Sequence, residues 1–113
     1  YANACINGQV EQYLVGSYQF ENASGQLAYT VTYHNYELNA DGTYTESHQY
    51  VNKGNQAVTT DTDSGTWAVV EGKLMLTNQE QVSQEFRIQT NHIAFESENG
   101  TFLNFKKMQN VVE

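Results

Sequence analysis

The sequence lacks several features that would have assigned it to a functional class. Its 113 residues include no proline and one cysteine, Cys5, so no disulfide can form within the chain. No apolar run approaches the roughly 20 residues that a membrane-spanning helix requires, and we expect a soluble domain. Only 5 Lys and Arg stand against 13 Asp and Glu, a formal net charge of -8. Nucleic acids and anionic membrane surfaces attract basic proteins, so we expect neither as a partner.

Motifs for catalysis are also absent. The sequence has no nucleophile elbow, no His-Glu-x-x-His helix and no glycine-rich phosphate loop. Cys5 stands near the N-terminus without the basic neighbours that would activate a thiol. We therefore expect a protein that is not an enzyme and that needs no cofactor.

The sequence is rich in alternating patterns typical of β-strands, and residues 64–78 carry the clearest one. Apolar residues alternate on both sides of Glu71-Gly72, a dipeptide that suits a two-residue hairpin turn. Gly65 at the start of the first strand allows a bend or a close approach of another backbone. Pairing Val70 with Lys73 places four apolar side chains on one face of the hairpin: Trp67, Val69, Leu74 and Leu76.

Similar hairpins follow one another along the chain and predict an all-β fold. Turns at residues 40–42, 71–72, 90–91 and 98–100 separate strands whose apolar residues face one another in register. We predict an eight-stranded antiparallel up-and-down β-barrel over residues 9–108, because closure removes the exposed sheet edges. A short helix in residues 9–14 is expected to plug one end. Residues 1–8 are predicted to be a flexible segment, residues 109–113 a tail, and residues 52–63 a mobile loop at the barrel mouth.

The order of these motifs resembles a known family. It runs through Leu14-Val15-Gly16-Ser17-Tyr18, then residues 38–44, then Ser64-Gly65-Thr66-Trp67 and residues 72–77. This succession is similar to the lipocalin-like domains, in the calycin superfamily, of small bacterial secreted proteins and lipoproteins. One departure is Tyr18, which stands where lipocalins usually carry a Trp on the first strand. The resemblance implies an extracytoplasmic, non-enzymatic barrel that in some relatives binds lipids or other small apolar molecules.

Cys5 bears on localisation. It follows Ala2-Asn3-Ala4, an A-x-A arrangement of the kind found at secretory cleavage sites. One interpretation is the lipid-bearing residue of a bacterial lipoprotein in the periplasm or outer membrane, although Ala2 stands where a Leu is usual. The other is a free thiol in a frayed terminus.

The predicted register directs many aromatic side chains into the barrel. An eight-stranded barrel is either filled by its own side chains or holds one small ligand. A packed core without a ligand and a small apolar pocket are both consistent with this pattern. The candidate ligand-binding residues are Tyr36, Tyr44, Trp67, Phe86, Phe95 and Phe105. A different hypothesis is a protein-interaction or inhibitory domain that uses an aromatic outer face formed by Tyr29, Val31 and Tyr33.

His34, Glu46 and His48 form the candidate site for metal chemistry. The register places the two histidines opposite each other, with Glu46 on the same face. Two imidazoles and a carboxylate match a zinc site with an open fourth position, and they also match an acid–base pair. The alternative is a structural cluster that is solvated or hydrogen-bonded at the barrel mouth.

Overall fold

A computed structural model describes residues 12–25, 27, 29–97 and 100–108. Eight antiparallel strands form a closed barrel in which each strand pairs with the next and the last pairs with the first. The strands are β1 (Gly16–Ala23), β2 (Tyr29–Leu38), β3 (Thr43–Asn52), β4 (Val58–Val70), β5 (Lys73–Asn78), β6 (Ser83–Gln89), β7 (His92–Glu96) and β8 (Phe102–Met108). The eight-stranded up-and-down barrel is thus confirmed. The predictions for residues 1–8, Cys5 and residues 109–113 concern segments outside the described residues.

The β4–β5 hairpin has the predicted turn and register. Glu71 and Gly72 have φ values of 52° and 79°, the positive values that a two-residue turn needs to match the strand twist. Val70 pairs with Lys73 across the turn. As a result, the side chains that alternation predicted to share one face are all buried: Trp67, Val69, Leu74 and Leu76.

Gly65 is required by a close approach between strands. A Cβ at this position would lie 1.9 Å from the carbonyl oxygen of Thr77 and 2.8 Å from Cα of Asn78. Neither backbone atom has room to move without breaking the β4–β5 pairing. Of the two roles predicted for this glycine, a bend or a close approach, the structure shows the close approach.

One end of the barrel is closed by the residues that precede β1. Residues 12–14 are helical, and Leu14 is 1% exposed. The Tyr18 hydroxyl donates a hydrogen bond to the Leu14 carbonyl, 2.7 Å away. The Trp67 indole N–H donates to the Asn39 carbonyl at 2.9 Å, which ties the β2–β3 turn to the same end. Nothing in the described residues forms a helix long and apolar enough to cross a membrane.

The prediction of a loop over residues 52–63 is wrong for most of its length. Strand β3 continues to Asn52, and β4 already begins at Val58, so residues 53–57 alone form the connection. Asn52 organises this turn, since its side-chain oxygen accepts hydrogen bonds from the backbone N–H groups of Gly54 and Asn55. The first residues of β4 are exposed on both faces, so they show no apolar alternation that would reveal a strand.

The predicted aromatic outer face is also wrong, because β2 contains a bulge. The register shifts between Val31 and Tyr33, so Thr32 is absorbed as an extra residue. Val31 therefore pairs with Tyr50, whereas Tyr33 pairs with Gln49. Tyr29 stacks on Tyr50 with 4.5 Å between ring centres, so it lies on the inner face, opposite to Tyr33.

Aromatic rings fill the middle of the barrel. Phe86 and Phe105 are 0% exposed. Their ring centres lie 5.3 and 5.1 Å, respectively, from that of Tyr36, in edge-to-face geometry, which is the preferred arrangement of aromatic pairs. The ring of His34 lies 4.9 Å from Phe105. These contacts form a packed floor beneath the end of the barrel where β3 ends and β4 begins.

Candidate functional site

A polar cluster rests on this aromatic floor, on the inner face of β2 and β3. His34 pairs with His48 and Tyr36 with Glu46, the register predicted from the sequence. Because side chains two residues apart share a strand face, the three polar side chains converge. Candidate ligand atoms of His34, Glu46 and His48 all lie within 4.8 Å of one another. The structure thus brings together the three residues predicted as a metal site.

One carboxylate oxygen joins the two histidines. Oε2 of Glu46 lies 2.9 Å from Nε2 of His34 and 2.5 Å from Nδ1 of His48. His34 is 7% exposed and Glu46 is 8% exposed. Burial alone would raise the pKa of the Glu46 carboxyl, but the contacts with His34 and His48 outweigh it and hold that pKa below its usual value. Glu46 is therefore an anion at neutral pH.

The contact between His34 and Glu46 is short but poorly aligned. Although the two atoms are 2.9 Å apart, Nε2 of His34 has no hydrogen-bond partner among the described residues. The other ring nitrogen, Nδ1, lies 2.7 Å from the hydroxyl of Tyr50. The Nδ1 edge of the imidazole is thus fixed by the Tyr50 phenol. Its Nε2 faces the Glu46 carboxylate without a well-aligned hydrogen bond.

Aromatic residues form a wall above the cluster. The ring of Tyr50 stacks on His48 at 4.6 Å and on Tyr29 at 4.5 Å. Burial, Tyr29 and Glu46 all raise the pKa of the Tyr50 phenol, so it keeps its proton. Tyr29, His48 and Tyr50 are half-buried, in contrast to the rings of the floor. This wall lies at the end of the barrel where β3 ends and β4 begins.

The negative side of the site extends to β4. Asp63 pairs with Glu46 and Asp61 pairs with His48. Burial, followed by the charges of Asp63 and Glu46, raises the pKa of Tyr44 to about 12. Strands β2, β3 and β4 contain no lysine or arginine. The histidines are therefore the only basic side chains on these three strands.

The six predicted ligand-binding residues all lie inside the barrel, but at different depths. Tyr36, Phe86 and Phe105 form the floor, and Phe95 is half-buried beside Phe86 with 5.4 Å between ring centres. Tyr44 and Trp67 are buried towards the closed end. Their inward orientation is confirmed, whereas their contact with a ligand stays a prediction.

Sequence reasoning did not select Tyr50 or Tyr29 for the site. Tyr50 follows His48 by two residues on one strand, so alternation alone would have placed it on the same face. Tyr29 has the wrong parity relative to His34, and only the bulge at Thr32 turns it inward. No sequence signal marks that bulge.

Comparison with known proteins identifies the family of this chain. A family model described as a lipocalin-like domain matches residues 14–95. The chain belongs to the lipocalin-like domain family. No curated protein matches it in sequence.

A solved structure supports the lipocalin-like fold. It is the crystal structure of the Cpx pathway activator NlpE from Escherichia coli, similar with a TM-score of 0.55 and 16% sequence identity. The match covers 88% of this lipocalin-like chain and 48% of the NlpE chain, so the chain spans about half of that protein. At this identity the likeness concerns the barrel fold.

Proposed function

We propose that this chain is an extracytoplasmic lipocalin-like binding protein that holds a small apolar molecule at the open end of its barrel. The observation that supports it is the half-buried stack of Tyr29, Tyr50 and His48 above a sealed aromatic floor. Half-buried aromatic rings beside a packed base provide apolar surface of the kind that small ligands need. The proposal is one of binding without catalysis.

The filled middle of the barrel limits how deeply a ligand can enter. Phe86 and Phe105 fill the middle of the interior, and the cluster of His34, Glu46 and His48 lies on this floor. The molecule would therefore stay at the end of the barrel above the floor and would not pass through it. Under this proposal the ligand is a ring-containing or short-chain molecule that contacts the half-buried ring of Tyr29. Under this proposal Tyr44 and Trp67 support the floor from the closed end.

The extracytoplasmic location rests on sequence. Ala2-Asn3-Ala4 before Cys5 is the arrangement expected at a secretory cleavage site, and Cys5 is then the residue that would carry a lipid anchor. Mass spectrometry of the protein from its source membrane fraction would show an added diacylglyceryl mass on the N-terminal peptide if this assignment holds. An unmodified Cys5 would refute the anchor.

Binding can be tested with the uncharged fluorescent probe N-phenyl-1-naphthylamine. We expect its emission to rise on addition of the protein, and Tyr29→Ala to weaken its affinity by about 10-fold, which corresponds to about 1.4 kcal/mol for a lost aromatic stack. Tyr33→Ala is the matched control, since Tyr33 lies on the same strand but on the outer face. Equal effects of the two substitutions, or no binding to the unmodified protein, would overturn the proposal.

A second candidate function, interaction with a protein, is favoured by one feature of the outer surface. A concavity of about 700 Å³ crosses β1 to β4, and it is lined mainly by polar side chains such as Ser17, Asn35, Glu37 and Ser47. The solved relative NlpE is described as a pathway activator. A photocrosslinker at Ser47, with one at Ser83 on the far side of the barrel as the control, would detect a partner at this groove.

A further inference from the structure

We infer that His34, Glu46 and His48 bind a divalent transition-metal ion, with zinc as the best match. The set supplies two imidazole nitrogens and one carboxylate oxygen, which is a common ligand set of zinc sites that keep an open coordination position. This inference goes beyond the apolar-ligand proposal and does not depend on it.

Nε2 of His34 is a buried nitrogen without a hydrogen-bond partner among the described residues. Buried polar atoms in folded proteins nearly always have a hydrogen-bond partner. The His34 residue is only 7% exposed, yet its Nε2 has no such partner among the described residues. This nitrogen lies 2.9 Å from Oε2 of Glu46. A metal ion between the imidazole and the carboxylate would use the lone pair of this nitrogen and remove the cost of burying it.

Tyr50 contacts the other ring nitrogen of His34. Histidine ligands of metals usually hydrogen-bond through their other ring nitrogen, which fixes the tautomer and the ring orientation. The Tyr50 hydroxyl lies 2.7 Å from Nδ1 of His34. When Nδ1–H donates to this hydroxyl, Nε2 is left unprotonated and faces the cluster. Tyr50 is therefore a positioning residue for His34.

The charges around the cluster favour a cation. Asp61 and Asp63 on the neighbouring strand β4 pair with His48 and Glu46, respectively. These strands have no lysine or arginine to neutralise the carboxylates. A cation at the cluster would meet a region of negative potential.

The distances define the change that binding requires. Tetrahedral zinc with bonds of about 2.0–2.1 Å spaces its ligand atoms about 3.3 Å apart. The two contacts to Glu46 Oε2 are 2.9 and 2.5 Å, so the side chains must separate by several tenths of an ångström. His48 can turn most easily, because its side chain is 20% exposed, whereas that of His34 is 8% exposed. The open coordination position would then face the barrel mouth.

Calorimetric titration of the full chain with zinc chloride tests the inference. All variants are made with Cys5→Ser, so that the thiol does not contribute. We expect one zinc ion per chain, and a loss of more than about 10-fold in affinity for His34→Gln or His48→Gln. His92→Gln is the control, since His92, the third histidine of the chain, lies on β7 and contacts Glu21 instead. Its zinc affinity should match that of the unmodified protein.

A second measurement separates a metal site from a structural cluster. Cobalt(II) in place of zinc should give the visible absorption of a low-coordinate site, and Tyr50→Phe should weaken metal affinity by about 10-fold or more while the fold is retained. The inference is wrong if the unmodified protein binds no zinc, or if the double variant His34→Gln, His48→Gln binds it normally. Both titrations contain no apolar molecule, so a negative result leaves the proposed binding function standing.

Discussion

Truncating Phe105 should be among the most damaging single changes in this barrel. The side chain is 0% exposed. Its ring centre lies 4.9 Å from His34, 5.1 Å from Tyr36, 5.8 Å from Phe20 and 6.2 Å from Phe86. Phe→Ala in a packed core costs about 3–5 kcal/mol, and four aromatic neighbours place Phe105→Ala at the upper end of that range. Since small domains are stable by about 5–15 kcal/mol, this is a large part of the total.

Urea unfolding followed by the fluorescence of Trp67 measures this loss. Trp67 is the single tryptophan of the chain and is 8% exposed, so its emission should shift to longer wavelength on unfolding. Phe105→Leu should cost less, about 1–2 kcal/mol, because leucine keeps much of the apolar volume but loses the ring contacts. If Phe105→Ala does not fold, the loss of stability can still be measured with Phe105→Leu.

Phe102→Ala is the matched control for this prediction. Phe102 is on the same strand, but it is half-buried and lies under Arg87, whose guanidinium is 4.8 Å from the ring centre. We expect a loss of about 1 kcal/mol or less there, typical of an outer strand position. Equal losses for Phe105→Ala and Phe102→Ala would refute the argument that the floor is the packed centre of the barrel.

Two further predictions concern backbone and charge. Gly65→Ala should lower the free energy of unfolding by about 1–3 kcal/mol or more in the same urea assay, because its Cβ would collide with Thr77. The control, Gly54→Ala in the β3–β4 turn, should lower it by less than about 1 kcal/mol. Hydrogen bonds from the side chain and backbone of Thr43 lower the pKa of Asp41 from 3.8. The ionised Asp41 side chain therefore stabilises the folded state fully above pH 3.8, and this stabilisation is lost as the pH falls through the pKa of the folded state. The difference in free energy of unfolding between the unmodified protein and Asp41→Asn should therefore shrink between pH 6 and pH 2. A constant difference would contradict this prediction.

Much of the fold was predictable because short turns and apolar alternation specify the same register. Gly42 has φ 88° and Gly100 has φ 86°, as their three-residue loops require. The predicted pairs of Ile93 with Phe105 and Phe95 with Leu103 are present. A slip of one residue would turn these side chains out of the core, so the pattern leaves one register for each hairpin.

The beginning of β4 was not predictable from the same signal. Residues 58–62 are exposed on both faces, so no apolar face marks them as a strand. They are nevertheless rich in β-branched residues, including Val58 and Thr59, which favour extended backbone and pair with the end of β3. The acidic residues among them favoured a loop, but here Asp61 is a strand residue opposite His48.

The candidate site was predicted only in part, because the inward position of Tyr29 depends on a backbone irregularity. Strict alternation from His34 would put Thr30 and Thr32 inside the barrel and Tyr29 outside. The bulge absorbs one residue, so Val31 and Tyr29 turn inward while Thr30 is exposed. The histidine cluster and Tyr50 follow from turn chemistry and parity, whereas the inward position of Tyr29 requires the bulge. His48 and Tyr50 belong to both proposed sites, whereas Tyr29 belongs to the apolar site alone. A change at Tyr29 should therefore affect the apolar probe and leave the three metal ligands in place.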